Sequence, residues 1–182
     1  MKLFPTILCC ALLLVSCQKF LLEEEEGGQG NSVGTFPQGT GAGTEQFPFS
    51  VWDVMDGRAQ AADGTVWVIG YAVGAAYRTL STADFSPSVP YATNLLLSAD
   101  SLCTDVARCI PVELSSSKSK AQFALPNNPS GYRQCVMLEG IPQTYYKENG
   151  LRKVSAGRWL YGFDLSNVSD DPQEWEVDSI FW

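Results

Sequence analysis

The chain contains no histidine among its 182 residues. That removes His-based catalytic triads, histidine zinc ligands and imidazole acid–base chemistry in one step. Positive charge is scarce too: 12 Lys+Arg stand against 20 Asp+Glu, a formal net charge of −8. A field of that sign repels phosphate backbones on average and disfavours a general nucleic-acid binder. The apolar run at residues 3–15 covers only thirteen positions, against the ~20 that a membrane-spanning helix needs. What remains is a composition of 45% hydrophobic and 18% charged residues. That is globular, and sufficient to bury a core in one domain with flanking segments.

The short apolar run has a different reading. Met1 and Lys2 make a positive n-region, residues 3–15 an apolar h-region, and Leu14-Val15-Ser16-Cys17 a lipobox. Cys9 and Cys10 are poor rivals, one preceded by bulky Leu8 and the other deep in the apolar run. The alternatives are an uncleaved N-terminal helix, or a plain secretory signal with an incidental cysteine. The lipoprotein reading makes 1–16 a signal peptide, and Cys17 the first mature residue and the site of lipidation. Losing Lys2 then leaves 11 positive against 20 negative residues, or −9. Several acyl chains on one cysteine anchor a protein firmly, since each buried CH₂ adds ~0.8 kcal/mol. Gln18 stands where an inner-membrane retention signal has Asp, which favours the outer membrane. The run Glu23-Glu24-Glu25-Glu26 resembles an acidic surface-export signal, and would otherwise be a solvated charge run in a tether.

Residues 17–46 read as that tether. Between 27 and 43, seven of seventeen residues are Gly, too little apolar surface to offset the entropy of ordering. About twenty flexible residues reach roughly 25 Å, enough to hold a domain clear of lipid headgroups.

The domain proper is expected over 47–162. Ser50 as N-cap and Asp53 at N3 form a capping-box pair, with Val51, Val54 and Met55 at helical spacing, so a short helix ends at Gly57. The β-rich run at 65–74 predicts a first strand, and its Gly70 and Gly74 mark a bend or bulge that lets one strand pair in both halves of a barrel. A long loop follows to Thr93. Residues 94–98 and 110–114 predict the second and third strands, with Val112 and Leu114 facing inward. Residues 121–132, with Asn127-Asn128-Pro129, read as a connector with at most one helical turn. A fourth strand runs from Gln134 to Tyr146, and Asn149-Gly150 gives a hairpin signal into a fifth at 151–161. Five strands with a connector after the third is the order of an all-β, five-stranded Greek-key OB-fold-like barrel, here with a short N-terminal helix. Residues 163–182 make an acidic tail carrying Trp175, Phe181 and Trp182.

The segments Trp67 to Gly74, Asn94 to Leu97, Cys109 to Leu114, Asn128-Pro129 with Gly131, Val136 to Gly140, Tyr145-Tyr146 and Gly150-Leu151 resemble an uncharacterised family of OB-fold lipoproteins, a domain of unknown function. That family is similar to OB modules attached to secreted nucleases. The resemblance covers roughly 47–162 and implies fold and export; it brings no activity with it.

Three mature cysteines lie beyond Cys17. Cys103 and Cys109 either bridge locally or stay as two thiols; closing the seven-residue loop that they begin and end would remove roughly 2.4 kcal/mol of unfolded-state entropy. Cys135 reads as a packed thiol, since no histidine exists to activate it. The cysteine spacings match no zinc site, and neither Asp53 with Asp56 nor Asp100 with Asp105 makes a calcium loop. These acids read as solvated surface groups, with no catalytic residue, metal or cofactor assigned. OB-folds bind oligonucleotides or oligosaccharides on strands two and three, framed by the loops between strands one–two and four–five. Those loops offer Tyr77, Arg78 and Tyr91, then Tyr145, Tyr146, Lys147, Arg152 and Lys153. Rings stack on bases or sugars, and cations meet acid groups. Against this, the aromatics are scattered and the hairpin charges protect an edge, because adjacent strand residues point to opposite faces. The favoured reading is a non-catalytic binding lipoprotein for an oligosaccharide or an envelope protein. The alternatives are a single-stranded nucleic-acid accessory of a secreted nuclease system, a structural envelope protein, and, last, an enzyme.

The lipobox carries a direct test. Labelled fatty acid is expected to enter the wild-type chain and not Cys17→Ser, which should leave the membrane fraction. A Cys17→Ser chain that still sediments with membranes defeats the lipoprotein reading.

Overall fold

A computed structural model describes residues 41–165. The signal segment, Cys17, the tether up to 40 and the tail from 166 lie outside the described residues. Chain direction is set at once by a short strand, β1 (Phe49–Ser50), and a helix, α1 (Val51–Met55). Ser50 is the extended N-cap; its Oγ accepts from the Asp53 N–H, and the Asp53 carboxylate accepts from Ser50 N at 2.7 Å and Ser50 Oγ at 2.8 Å. The expected capping box therefore forms, and Gly57, at φ +88°, lies just past the helix. Asp53 departs from its reading as a solvated acid. It is buried, and Arg58 Nη2 pairs with its Oδ1 at 2.7 Å, supplying the partner that a buried carboxylate requires.

The remaining strands are β2 (Val66–Ala76), β3 (Ala83–Asp84), β4 (Asn94–Ser98), β5 (Cys109–Glu113), β6 (Cys135–Tyr145) and β7 (Glu148–Leu160). The barrel closes along β2–β4–β5–β7–β6 and back to β2. Every neighbour is antiparallel except β5 and β7, which run parallel where Val112 meets Leu151. Counted within the barrel, that is strand order one-two-three-five-four-one. The fold is the all-β, five-stranded OB-like barrel that the sequence predicts. Among the described residues no helix is long and apolar enough to cross a membrane.

Closure falls to β2, as its glycines suggest. Residues 66–71 pair with β6, 71–74 with β4, and Ala75 and Ala76 with β3. A register shift lies between Ala72 and Gly74, where the strand turns from one partner to the next. A Cβ on Gly70 would sit 2.6 Å from Val51 Cγ2, and one on Gly74 would sit 2.3 Å from the Asp84 carbonyl oxygen. One glycine thus admits α1 against the barrel, and the other admits the loop of residues 77–93.

Both faces of β4 and β5 are covered. Leu95, Leu96 and Leu97 are all fully buried, each worth ~1.5–3 kcal/mol relative to exposure. Because cross-strand partners share a face, Gly74, Leu96, Pro111 and Gly150 line the same side, the one the loop crosses at Asp84. Leu114 lies one residue beyond β5; it is fully buried and its N–H donates to Thr93 O.

Four local expectations are corrected. The connector carries a two-turn helix, α2 (Ser117–Phe123), starting before 121 because Ser116 and Ser119 cap each other reciprocally. Residues 41–46 are not all tether: the Trp67 N–H donates to Gly43 O at 2.8 Å, and Ala42 and Thr44 both donate to Phe47 O. At the other end Leu165 is buried, and its N–H donates to the Tyr71 hydroxyl at 2.8 Å, so the packed domain passes 162. Finally, Asn149 and Gly150 are not the hairpin turn. Tyr145 pairs with Glu148, so the two-residue turn is Tyr146-Lys147, with φ of 54° and 70°.

Gly150 is nonetheless a position that admits no side chain. It lies in β7, where a Cβ would stand 2.3 Å from Pro111 O, a backbone atom of β5. Gly150→Val should lower stability by about 1–3 kcal/mol through overpacking, visible as an earlier thermal melt. An unchanged melt would contradict this approach of β7 to β5.

Candidate functional site

The hairpin between β6 and β7 brings its residues together in a way strand alternation does not allow. Tyr146 is left-handed, so its ring swings back onto Tyr145, with centroids 4.1 Å apart and planes 22° apart. The expectation that these adjacent tyrosines face opposite ways fails because the second one sits in the turn. Burial, then the neighbouring Tyr146 hydroxyl, pushes the Tyr145 phenol above its usual range. The Arg152 guanidinium lies 5.7 Å from the centre of the Tyr145 ring.

Arg152 is held from its other side. Its Nε and Nη2 each reach a Glu113 carboxylate oxygen at 3.1 Å, and Lys153 N donates to Glu113 Oε2 at 3.4 Å. These bonds sit at an irregularity in the β6–β7 ladder: Glu139 faces Ala156 and Ile141 faces Arg152, so β7 takes four steps where β6 takes two. Lys153 absorbs the excess in the left-handed region at φ 54°. The bidentate hydrogen bond to Arg152 holds the Glu113 carboxyl below its ordinary range, against the opposing effect of burial.

The loop between β2 and β4 builds a second cluster. Tyr77 and Tyr91 stack with centroids 5.4 Å apart, and Arg78, left-handed at φ 64°, lies over the Tyr77 ring at 4.8 Å. Asn94 joins the two clusters. Its Oδ1 accepts from Ala76 N and its Nδ2 donates to Ala76 O, both at 2.8 Å, and Nδ2 also reaches the Tyr146 hydroxyl at 3.3 Å. One fully buried amide thus ties the residue before Tyr77 to the hairpin. All eight residues singled out in the sequence fall into these two clusters. Asn94 and Glu113, which organise them, were missed; only their places at the two ends of adjacent short strands hinted at them.

Beside the hairpin lies a cavity of about 250 Å³, lined by Met55, Leu80, Val106, Ala107, Cys109, Glu148 and Asn149. Asn149 Nδ2 donates to Met55 O at 3.0 Å and fastens α1 to β7 there. Cys103 and Cys109 are buried and unbridged, with sulfurs 3.9 Å apart. Cys135 is fully buried, and its burial pushes the thiol up. Asp100 and Asp105 serve the turn between β4 and β5: Asp100 accepts from Leu102 N and Asp105 from Ala107 N. Among the described residues no group of His, Cys, Asp and Glu could hold a metal ion.

The match to known families falls on the barrel itself. Residues 49–160 match the model of a domain of unknown function, DUF6359. The chain belongs to that family. The matched span opens at β1 and closes at the last residue of β7, so this DUF6359 domain is the whole strand set described above. No curated protein and no solved structure matches the chain.

Glu113 gives the site a measurable acid dependence. Its folded pKa is depressed, so its contribution is present above the ordinary carboxylate pKa of 4.5 and is lost as pH falls through the lower folded value. Because the pair is only partly buried, solvent still screens it and the effect is modest. Glu113→Gln should lower the melting temperature by about 1–3 °C at neutral pH. The difference should shrink below pH 4.5. An equal difference at acid and neutral pH would assign the loss to something other than the Glu113 charge.

Proposed function

We propose that this DUF6359 protein is a non-catalytic binding lipoprotein of the outer membrane, anchored through Cys17, whose barrel captures an oligosaccharide on the two tyrosine clusters. One observation carries the reading. Five non-glycine residues among those described have left-handed backbone, and four of them are Arg78, Tyr146, Lys147 and Lys153. Such conformations cost of order 1–3 kcal/mol each and gather at ligand clamps and other functional sites. A hairpin turn of this type prefers Asn-Gly; placing Tyr-Lys there sacrifices stability to present a ring and a cation.

The ring and charge chemistry supports a sugar. Stacked tyrosines offer apolar faces, with Arg152 and Lys153 as cations beside them. Arg78 and Lys147 make no salt bridge among the described residues, which favours a glycan carrying acid groups. The net charge of −8 disfavours a dense polyanion such as single-stranded nucleic acid. The absence of histidine from the sequence supports the non-catalytic part.

A glycan array and titration calorimetry on a lipid-free Cys17→Ser chain test this reading. Uronate oligosaccharides are expected to bind, and Tyr146→Ala to weaken that binding five-fold or more, given ~1–3 kcal/mol per stacked ring. Replacing Tyr146-Lys147 by Asn-Gly should raise the melting temperature while binding falls. Tight, strongly salt-dependent binding to single-stranded DNA would replace the sugar with nucleic acid. Binding to envelope proteins lost on deleting 166–182, with the tyrosine variants silent, would move the function to the tail.

A further inference from the structure

We propose that Cys103 and Cys109 form a reversible thiol–disulfide site in the wall of the cavity beside the hairpin. The two sulfurs lie 3.9 Å apart. Both thiols donate to the same acceptor, the Asp105 carbonyl oxygen, at 3.4 Å from Cys103 and 3.3 Å from Cys109. The intervening turn therefore already points both side chains at one spot. A disulfide needs the sulfurs ~2.05 Å apart, so closure asks each to move by about 1 Å, which a small side-chain rotation supplies. Bonding the sulfurs to each other gives up two weak S–H donors and leaves the carbonyl to solvent or to its turn.

Access and environment support a slow, selective site. Cys109 lines the cavity with Leu80 and Asn149, and the turn before it carries Leu102, exposed at 65%. The Cys109 thiol is pushed up by burial first and then by the neighbouring Cys103. Exchange therefore proceeds through brief opening of the turn rather than from a standing thiolate. The chemistry needs a disulfide as co-reactant, such as oxidised glutathione or the active-site disulfide of an exchange protein. One cysteine sulfur attacks it, forming a mixed disulfide and releasing a thiol; the second cysteine displaces the other sulfur. The protein loses two protons and two electrons, and the co-reactant takes up both and leaves as two thiols. Cys135, in the β2–β6 ladder, is a built-in control: it takes no part in the sulfur hydrogen bonds of Cys103 and Cys109.

Closure would pin the turn of residues 99–108 to the first residue of β5, and so fix the cavity wall opposite the hairpin. Peptide mapping of the full chain tests it, because trypsin cuts after Arg108, between the two cysteines. After equilibration with oxidised glutathione under native conditions, the peptide of residues 79–108 should appear joined to that of residues 109–118, lighter by two hydrogens than their sum. Dithiothreitol should separate them, and Cys135 should stay free throughout. The oxidised chain should melt several degrees above the reduced one, and the shift should be absent from Cys103→Ser. If both cysteines remain fully open to alkylation after unfolding of the glutathione-treated protein, or if Cys135 forms the bridge, the proposal is wrong. The mapping needs no variant to fold, so a destabilised Cys103→Ser does not blunt it.

Discussion

Strand β2 holds the barrel shut, and everything else is arranged around that duty. A small barrel closes only if one strand hydrogen-bonds along both edges, and a flat strand of ordinary length cannot serve two partners that diverge. The eleven residues of β2 solve this with glycine at two positions and a register shift between Ala72 and Gly74. The same two glycines admit α1 on one side and the loop of residues 77–93 on the other, so closure and covering are a single problem with one solution. Ten of the eleven positions are buried, which is why this stretch reads as a continuous apolar run and not an alternating one.

Covering has a cost for binding. Strands β4 and β5 are buried on both faces, and the loop of residues 77–93 crosses the barrel at Gly74, so the rims of loop and hairpin carry the accessible chemistry. Those rims are where the backbone is least relaxed. Left-handed Tyr146, Lys147 and Lys153 are tolerated because a strong ladder flanks them: β6 pairs with β7 along nearly its whole length, and Glu113 grips both Arg152 and the Lys153 N–H. The barrel supplies the rigidity that the site consumes.

Much of this was legible in the residues. The capping box at Ser50 and Asp53, the second strand, the double role of β2 and the barrel order all follow from local rules that tertiary contacts here do not override. Failures occur where a long-range partner outweighed a local signal. Asn149-Gly150 is the stronger turn sequence, yet Gly150 is needed beside Pro111 and Asn149 is needed by Met55, so both sit in the strand and the turn shifts to Tyr146-Lys147. That three-residue shift is what stacks the tyrosines, and no periodicity in the sequence encodes it. Asp53 looks like a surface acid because Arg58, its partner, lies past the helix end, on a segment whose path the sequence does not fix. The residues of the two clusters were readable as loop aromatics and cations; their union was not, because it depends on one buried amide.

That amide has an evolutionary corollary. By donating to and accepting from Ala76, Asn94 copies the pairing of one more rung of strand and seals the point where the loop of residues 77–93 leaves and rejoins the barrel. Whatever happens between those two residues is then insulated from the ladder. The loop can lengthen, shorten or change its surface chemistry while the scaffold beneath keeps its registration, much as a socket accepts different fittings. A DUF6359 barrel built this way can diversify this loop without being redesigned, and Asn94 is the residue that grants the freedom.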